Sequence, residues 1–387
     1  MKKLAIITIV LFAAAAMLVS ASGQREDGAI RIGVIQDLSG PTSVWGNAVA
    51  RGAELAVSEI NAAGGIDGRQ VELRTYDVRL SPQEAITAYN RLVDQDRVTA
   101  IVGPPISNIG LSLAPVAQAK GVPIVGSFID PRVTVQPNGE PWTNMFLMQP
   151  SSVQYSEIIA DFALTELGAR NLAVMYDQTN AFSVSLVEPF RNYVNAHGGN
   201  VALEVTYTSD DRDFRTQLSQ IQRSGADAVY LPIYIQEAVL TLQQAEQVGL
   251  DIPMIGGLDF APPFTDLLPD PTLADGIYVA NNYSDSEPQL VDVRAAYMDM
   301  FGEEPINKAF KGYDKILIIA DAIRRAGSTE PAAVSRAIAR TSNLRGTTGI
   351  LTISPDNHQP VGLSMVMYQI INGEYSELGR HVPESHR

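Results

Sequence analysis

"IRIGVIQDLSGPTSVWGNAVARGAELAVSEINAAGGIDGRQVELRTYD", residues 30–77, holds one complete strand–loop–helix–strand unit, and the rest of the chain can be read outward from it. Ile30-Arg-Ile-Gly-Val-Ile35 is apolar and β-branched, the pattern of a buried strand. Asp37-Leu-Ser-Gly-Pro41 breaks it with turn-forming residues. Ala48, Gly52, Ala53, Leu55, Ala56 and Ile60 then recur at helical spacing, with Arg51, Glu54 and Glu59 on the other side. Asn61-Ala-Ala-Gly-Gly65 stops the helix, since glycine takes the left-handed C-cap conformation without steric cost. Val71-Glu-Leu-Arg-Thr-Tyr-Asp77 alternates as a second strand. In open parallel α/β sheets ligands collect at the carboxyl ends of strands, where loops and helix N-termini present backbone N–H groups. The loop after the first strand is therefore a candidate contact, with Ser39, Thr42 and Ser43 as hydrogen-bond donors and Trp45 as an apolar wall.

Further along, Ser81-Pro-Gln-Glu84 starts a helix with proline in its first turn, and Val98–Val102 is a third strand. Ser107-Asn108 opens the next helix with serine as an N-cap, and Pro123–Ser127 is a fourth strand. After Met145-Phe-Leu-Met148 the chain leaves this lobe and a second series echoes the first. Asn171–Asp177 is strand then turn, Val184–Val194 helix, His197-Gly-Gly199 a stop, and Val201–Tyr207 strand. Helix 212–223 and strand Ala228–Tyr234 repeat helix 82–94 and strand 98–102. This internal likeness predicts two similar α/β lobes whose strand ends face each other across a cleft. Crossings between lobes are expected after Met148, at Asn281-Asn-Tyr283 and at Asp356-Asn-His358, and residues from about His381 read as a tail.

The chain's 387 residues suit a pair of domains, and 45% hydrophobic with 18% charged residues is ordinary for a globular protein. Lys2 and Lys3 precede the apolar run Leu4–Val19, and Val19-Ser-Ala21 offers small residues for a signal peptidase. Residues 1–21 are expected to be a cleaved export signal; the alternative is a membrane anchor, for which the run is slightly short. The absence of cysteine excludes a diacyl-lipid anchor at that site, disulfides, thiolate catalysis and cysteine zinc sites. Without Lys2 and Lys3 the 28 basic residues fall to 26 against 43 acidic, a net of −17. That balance argues against nucleic acid or an anionic membrane as partner.

Catalytic sets are missing. His197 lies at a predicted helix end, His358, His381 and His386 lie in a loop and a tail, and no metal-binding spacing joins them. There is no Gly-x-Ser-x-Gly elbow, Walker A loop or GxGxxG fingerprint. Asp210, Asp211 and Asp213 lack the glycine and terminal glutamate of an EF-hand and read as a helix N-terminus. No cofactor, no metal and no catalytic residue are expected.

The order of strand, SG, G, helix, INAAGGI-x-G and strand resembles the opening of the type I periplasmic binding proteins, specifically the branched-chain amino-acid and amide group that serves ABC importers. The likeness in element order extends to about residue 372. It implies an α/β fold of two Rossmann-like lobes with parallel sheets, joined by three crossover segments. The lobes would be residues 28–148 plus 284–355 and residues 149–283 plus 356–387. It implies that Ser107 holds a ligand carboxylate, that Ser127, Phe128 and Ile129 lie at the ligand, and that Phe182-Ser183 is the aromatic-plus-small pair that closes over it. Ile129 stands where relatives place a threonine and supplies no hydroxyl. Trp45 and Tyr234 would cover the ligand, and Asp259 is the carboxylate available to an ammonium group, although ungapped comparison puts Leu258 at that place and Asp259 also reads as a turn residue. The function implied is a monomeric periplasmic solute-binding protein, not an enzyme. It would deliver a small polar ligand, foremost an amino acid of the branched-chain kind, to an inner-membrane ABC permease. A sensory or chemoreceptor subunit, or a binder of short-chain amides or carboxylic acids, is the alternative.

Overall fold

The computed structural model describes residues 28–284, 286–362 and 364–383, so the expected export signal and His386 lie outside the described residues. The first sheet has five parallel strands: β1 (Ile30–Gln36), β2 (Val71–Asp77), β3 (Ala100–Val102), β4 (Ile124–Gly126) and β5 (Met145–Leu147), in the order β2-β1-β3-β4-β5. All but one residue of β1 is buried, as an apolar run covered on both faces must be. Helices α1 (Ser43–Ala62), α2 (Pro82–Arg91) and α3 (Ser107–Lys120) make the crossovers. Ser81 caps α2 as its sequence suggests, its side chain accepting from the Glu84 N–H with Pro82 in the first turn.

The second sheet repeats the scheme. After α4 (Ser152–Thr165) come β6 (Asn171–Asp177), α5 (Ala181–Ala196), β7 (Asn200–Tyr207), α6 (Arg215–Ser224), β8 (Ala228–Leu231), α7 (Ile235–Val248), β9 (Met254–Gly256) and β10 (Tyr278–Asn281). Read from its β7 edge, the sheet runs β7-β6-β8-β9-β10, the same permutation as the first sheet. The chain then returns to the first lobe as α8 (Pro288–Phe301), α9 (Asn307–Ala326), α10 (Pro331–Ile338) and the small hairpin β11 (Leu344–Gly346) and β12 (Gly349–Leu351). There α9 and α10 join β1, α1 and β2 in one hydrophobic core. A third passage ends in β13 (Met365–Ile371) and β14 (Glu374–His381), which extend the second sheet antiparallel.

Three details depart from the sequence reading. The second sheet is mixed, because β13 and β14 close its edge as a hairpin. His381 is no tail residue: it ends β14, is buried, and its Nε2 lies 2.8 Å from Asp161. Asp210, Asp211 and Asp213 precede α6 without capping it; Asp211 accepts from the Thr208 N–H and Asp213 pairs with Arg215. Among the described residues no histidine or acidic cluster could hold a metal ion, and no helix is long and apolar enough to cross a membrane.

One packing contact positions the site described next. Where α9 crosses α1, a β-carbon on Gly52 would stand 1.9 Å from the Ala309 carbonyl oxygen, and one on Gly312 would stand 2.1 Å from that of Val49. Only two glycines let these backbones meet. That close approach sets the N-terminal half of α9 beside the strand ends of the first sheet.

Candidate functional site

Both sheets reverse their strand order beside the first strand of their series, next to β1 and β3 in one lobe and β6 and β8 in the other. Crevices form at such switch points, outside the carboxyl ends of the strands. The two crevices meet. A cleft of about 370 Å³ is lined by Pro41, Thr42 and Trp45 after β1, by Ile106 and Asn108 after β3, by Asn180 after β6, and by Tyr234 to Glu237 after β8. The lobes touch across its mouth: the Ala181 N–H donates to Asn108 Oδ1 at 3.0 Å, and Gln236 Nε2 donates to the Pro41 carbonyl at 2.7 Å.

The wall is aromatic. Trp45 and Tyr234, from opposite lobes, meet edge to face with centroids 5.3 Å apart, and Tyr234 packs on Phe182 at 4.9 Å. Such pairs contribute about 0.5–1.5 kcal/mol each beyond area burial. Trp45 is 4% exposed and Phe182 8%, so these rings are sealed in the closed arrangement. Phe182 is in place because Asn180 caps α5, its side chain accepting from the Phe182 N–H at 3.0 Å.

Behind the Trp45 ring lies a row of buried lysines that the sequence reading did not contain. Lys308, Lys311 and Lys315 recur at i, i+3 and i+7 on one face of α9, and all three are buried. Lys308 Nζ stands 5.0 Å over the Trp45 ring and 3.8 Å from Asp259 Oδ1, an ion pair too long for a good hydrogen bond. Burial pushes the Asp259 carboxyl up and the Lys308 ammonium down, each partly held in its charged form by the other. Lys311 donates to Gln149 Oε1, and Lys315 donates to the Gly103 carbonyl at 2.8 Å and to Ser127 Oγ at 2.9 Å. Burial, and then the neighbouring cations Lys308 and Lys315, hold Lys311 well below the usual lysine range. Burial and Lys308 bring Lys315 down to about 7. The hydroxyls of Tyr155 and Tyr230 are buried beside Asp259, raised by burial and by that carboxylate, and neither has a hydrogen-bond partner among the described residues.

The remaining sequence candidates separate. Ser107 is the first residue of α3 rather than its cap, which falls on Ile106; its Oγ accepts from the Ile129 and Asp130 N–H groups at 3.4 Å each. Ser127, just after β4, accepts the hydrogen bond from Lys315 described above. Phe128 is fully buried in the first lobe, where β-carbons on Gly103, Gly110 or Gly126 would strike its ring. Ile129 packs into the core built by α4 and α5. Asp259 sits in a short 3-10 turn after β9. In the first loop, the Ser39 hydroxyl donates to Asp77 and the Thr42 hydroxyl to Asp37, so both brace the loop instead of pointing donors into the cleft. Lys308, Lys311, Lys315, Tyr155 and Tyr230 are the residues sequence reasoning missed. The one available signal was the run Lys308–Ile319, which alternates lysine with apolar residues so densely that no face of the helix is left wholly polar.

Two switch-point crevices facing each other across an aromatic-walled cleft, joined by three chain passages, define a two-lobed binding protein that holds a small solute between its lobes. The family model of periplasmic binding proteins matches residues 29–374, and the chain belongs to that family. It is 27% identical to a Leu/Ile/Val-binding protein homolog of Brucella melitensis, across 84% of this chain and 87% of that one. Among solved structures it is similar to a leucine binding protein from Thermotoga maritima, with TM-score 0.83 and 28% identity over 92% of this chain and all of that one. It is also similar to a branched-chain amino acid transporter substrate binding protein from Streptococcus pneumoniae, solved in complex with isoleucine, with TM-score 0.83 and 27% identity over 92% of this chain and 100% of that one. The family is one of solute-binding proteins, and its type I fold of two Rossmann-like lobes is the fold found here.

Proposed function

We propose that this chain is the extracytoplasmic binding component of an ABC importer: it closes its lobes on a small carboxylate-bearing solute of amino-acid size and presents the closed form to an inner-membrane permease. The observation that carries this reading is the cleft at the switch point of both sheets, walled by Trp45 from one lobe and by Tyr234, backed by Phe182, from the other. Apolar rings take the body of the solute, while buried donors at the strand ends, Ser107 and Ser127 among them, fix its polar head. The relatives named for leucine, isoleucine and valine support an amino acid or a close analogue as the solute class.

On this reading the lobes comprise residues 28–148 with 284–355 and residues 149–283 with 356–387. They hinge where the chain passes between sheets. At the third passage His358 stacks on Phe146 at 4.3 Å and its Nδ1 lies 3.0 Å from the Trp142 carbonyl oxygen, which anchors the hinge to the first lobe. The protein is exported to the periplasm with residues 1–21 removed, acts as a monomer, and carries no cofactor or catalytic residue. Thermal unfolding against a panel of amino acids, amides and small carboxylic acids tests it. A solute that binds only the folded state adds about 2.7 kcal/mol of stability at 100 times its dissociation constant. A concentration-dependent rise in midpoint with at least one such solute is expected; a flat midpoint across the whole panel contradicts the reading.

A further inference from the structure

The second lobe holds a cavity that the binding reading leaves unused. It encloses about 510 Å³, more than the cleft, and opens beside Met254 and Tyr278, the first residues of β9 and β10. The cleft lies past the other ends of these parallel strands, so the two sites face away from each other. The floor of the cavity is apolar: Leu242, Leu250, Met254 and Ile277 are buried there in the core of the lobe. Its charged lining is all of one sign. Glu246, Asp251, Asp270 and Asp275 stand around it, each exposed, and no lysine, arginine or histidine joins them. We propose that this cavity is a second binding site, for a linear alkyl polyamine whose methylene segments lie on the apolar floor and whose ammonium groups meet the carboxylates.

Size, charge and spacing agree on this class. The volume falls in the range of about 300–1,000 Å³ that small-molecule sites occupy. Asp270 accepts from the Thr272 N–H and hydroxyl at 3.0 and 2.7 Å, and Asp275 from the Gly373 N–H at 2.8 Å, neutral donors that favour the charged carboxylate without cancelling it. Four negative charges around one concave surface focus a field that draws in positive charge. Among the described residues no acidic cluster could hold a metal ion, so that charge has to arrive spread along a longer body, as it is in a polyamine. The cavity also lies at the carboxyl end of α7, beside Ala245, Glu246 and Leu250, where the helix dipole favours a cation.

The test is a methyl NMR titration of the whole protein at low salt with spermidine, hexylamine and 1-hexanol, which carry three, one and no positive charges on similar chains. Spermidine should shift the Leu250, Met254 and Ile277 methyl signals saturably and leave Ile106 and Ile235 of the cleft in place. Hexylamine should bind more weakly and hexanol not measurably, and the spermidine affinity should fall as salt is added. The double variant Glu246→Gln, Asp251→Asn, at two exposed positions, should keep the wild-type melting midpoint and weaken spermidine about fivefold or more, the loss expected for two rim ion pairs. Shifts scattered over the acidic surface of the chain, an affinity unchanged in the double variant, or hexanol binding as tightly as spermidine each overturn the proposal. Tighter binding of trilysine than of spermidine overturns it too, in favour of a basic peptide segment. Since the cavity is remote from the cleft, none of these outcomes bears on the binding reading above.

Discussion

Lys315 sits where a lysine is costly. It is fully buried, its ammonium donates to the Gly103 carbonyl and the Ser127 hydroxyl, and the like charge of Lys308 acts on it. Its folded-state pKa of about 7 lies below the ordinary lysine value of 10.5. Between those values the unfolded chain binds the extra proton, so stability rises with pH across this window, by at most about 1.4 kcal/mol per unit for this one group. The cost is present in full below pH 7 and is relieved as pH climbs toward 10.5. Urea unfolding at pH 7, 8 and 9 should therefore show wild type gaining on Lys315→Met, which lacks the titration; parallel curves would contradict it. The buried lysine face went unread because charged residues at helical spacing read as a solvent-facing stripe, although the apolar residues of Lys308–Ile319 leave no face wholly polar. What covers its first lysine is a tertiary feature, Trp45 and Asp259 reaching Lys308 from elements far away in the chain. Trp45 and Tyr234 could be named from sequence because they lie at strand ends, and Phe182 through the family resemblance; the structure brings those three rings together.

At the scale of elements, the crossing of α1 and α9 carries the strongest steric demand. Gly312→Ala pushes a methyl group into the Val49 carbonyl, so the helices must separate. The expected loss is about 1–3 kcal/mol, measured as a lower urea midpoint with unchanged m-value. A variant as stable as wild type would mean the helices do not pack as closely as described. The first strand–loop–helix–strand unit and its echo were legible from apolar periodicity alone, because the leading strand of each, β1 and β6, is a buried run bounded by turn residues. The mixed edge of the second sheet was not. β14 is mostly exposed and reads as Glu374-Tyr-Ser-Glu-Leu-Gly-Arg-His381, too polar to look like a strand. Yet Asn372-Gly373 between the two runs, both at positive φ, is the strongest short-range sign of a two-residue hairpin, and it was there to be read. Ser107 was misplaced by one position for a different reason: serine is common both as a cap and in the first turn, and only the backbone at Ile106, extended at φ −117 and ψ 110, decides between them.

For the whole molecule, function depends on how firmly the closed cleft is held. The Asn108 side chain bridges the first lobe to the Ala181 N–H of the second, and no catalytic or core role competes with that contact. Removing it with Asn108→Ala should leave unfolding unchanged and open the complex faster, raising the solute off-rate about fivefold for the loss of about 1 kcal/mol. Stopped-flow tryptophan fluorescence checks this; an effect confined to the on-rate would mean the contact does not hold the lobes shut. The central claim is that solute is gripped between the lobes by the aromatic wall. Titration calorimetry of wild type and Trp45→Ala, side by side with the tightest solute found, tests it most directly. Saturable binding in wild type that weakens about 30-fold or more in the variant, the loss expected for a buried aromatic anchor, is the predicted result. Equal affinity in both proteins would place the solute elsewhere and contradict the account.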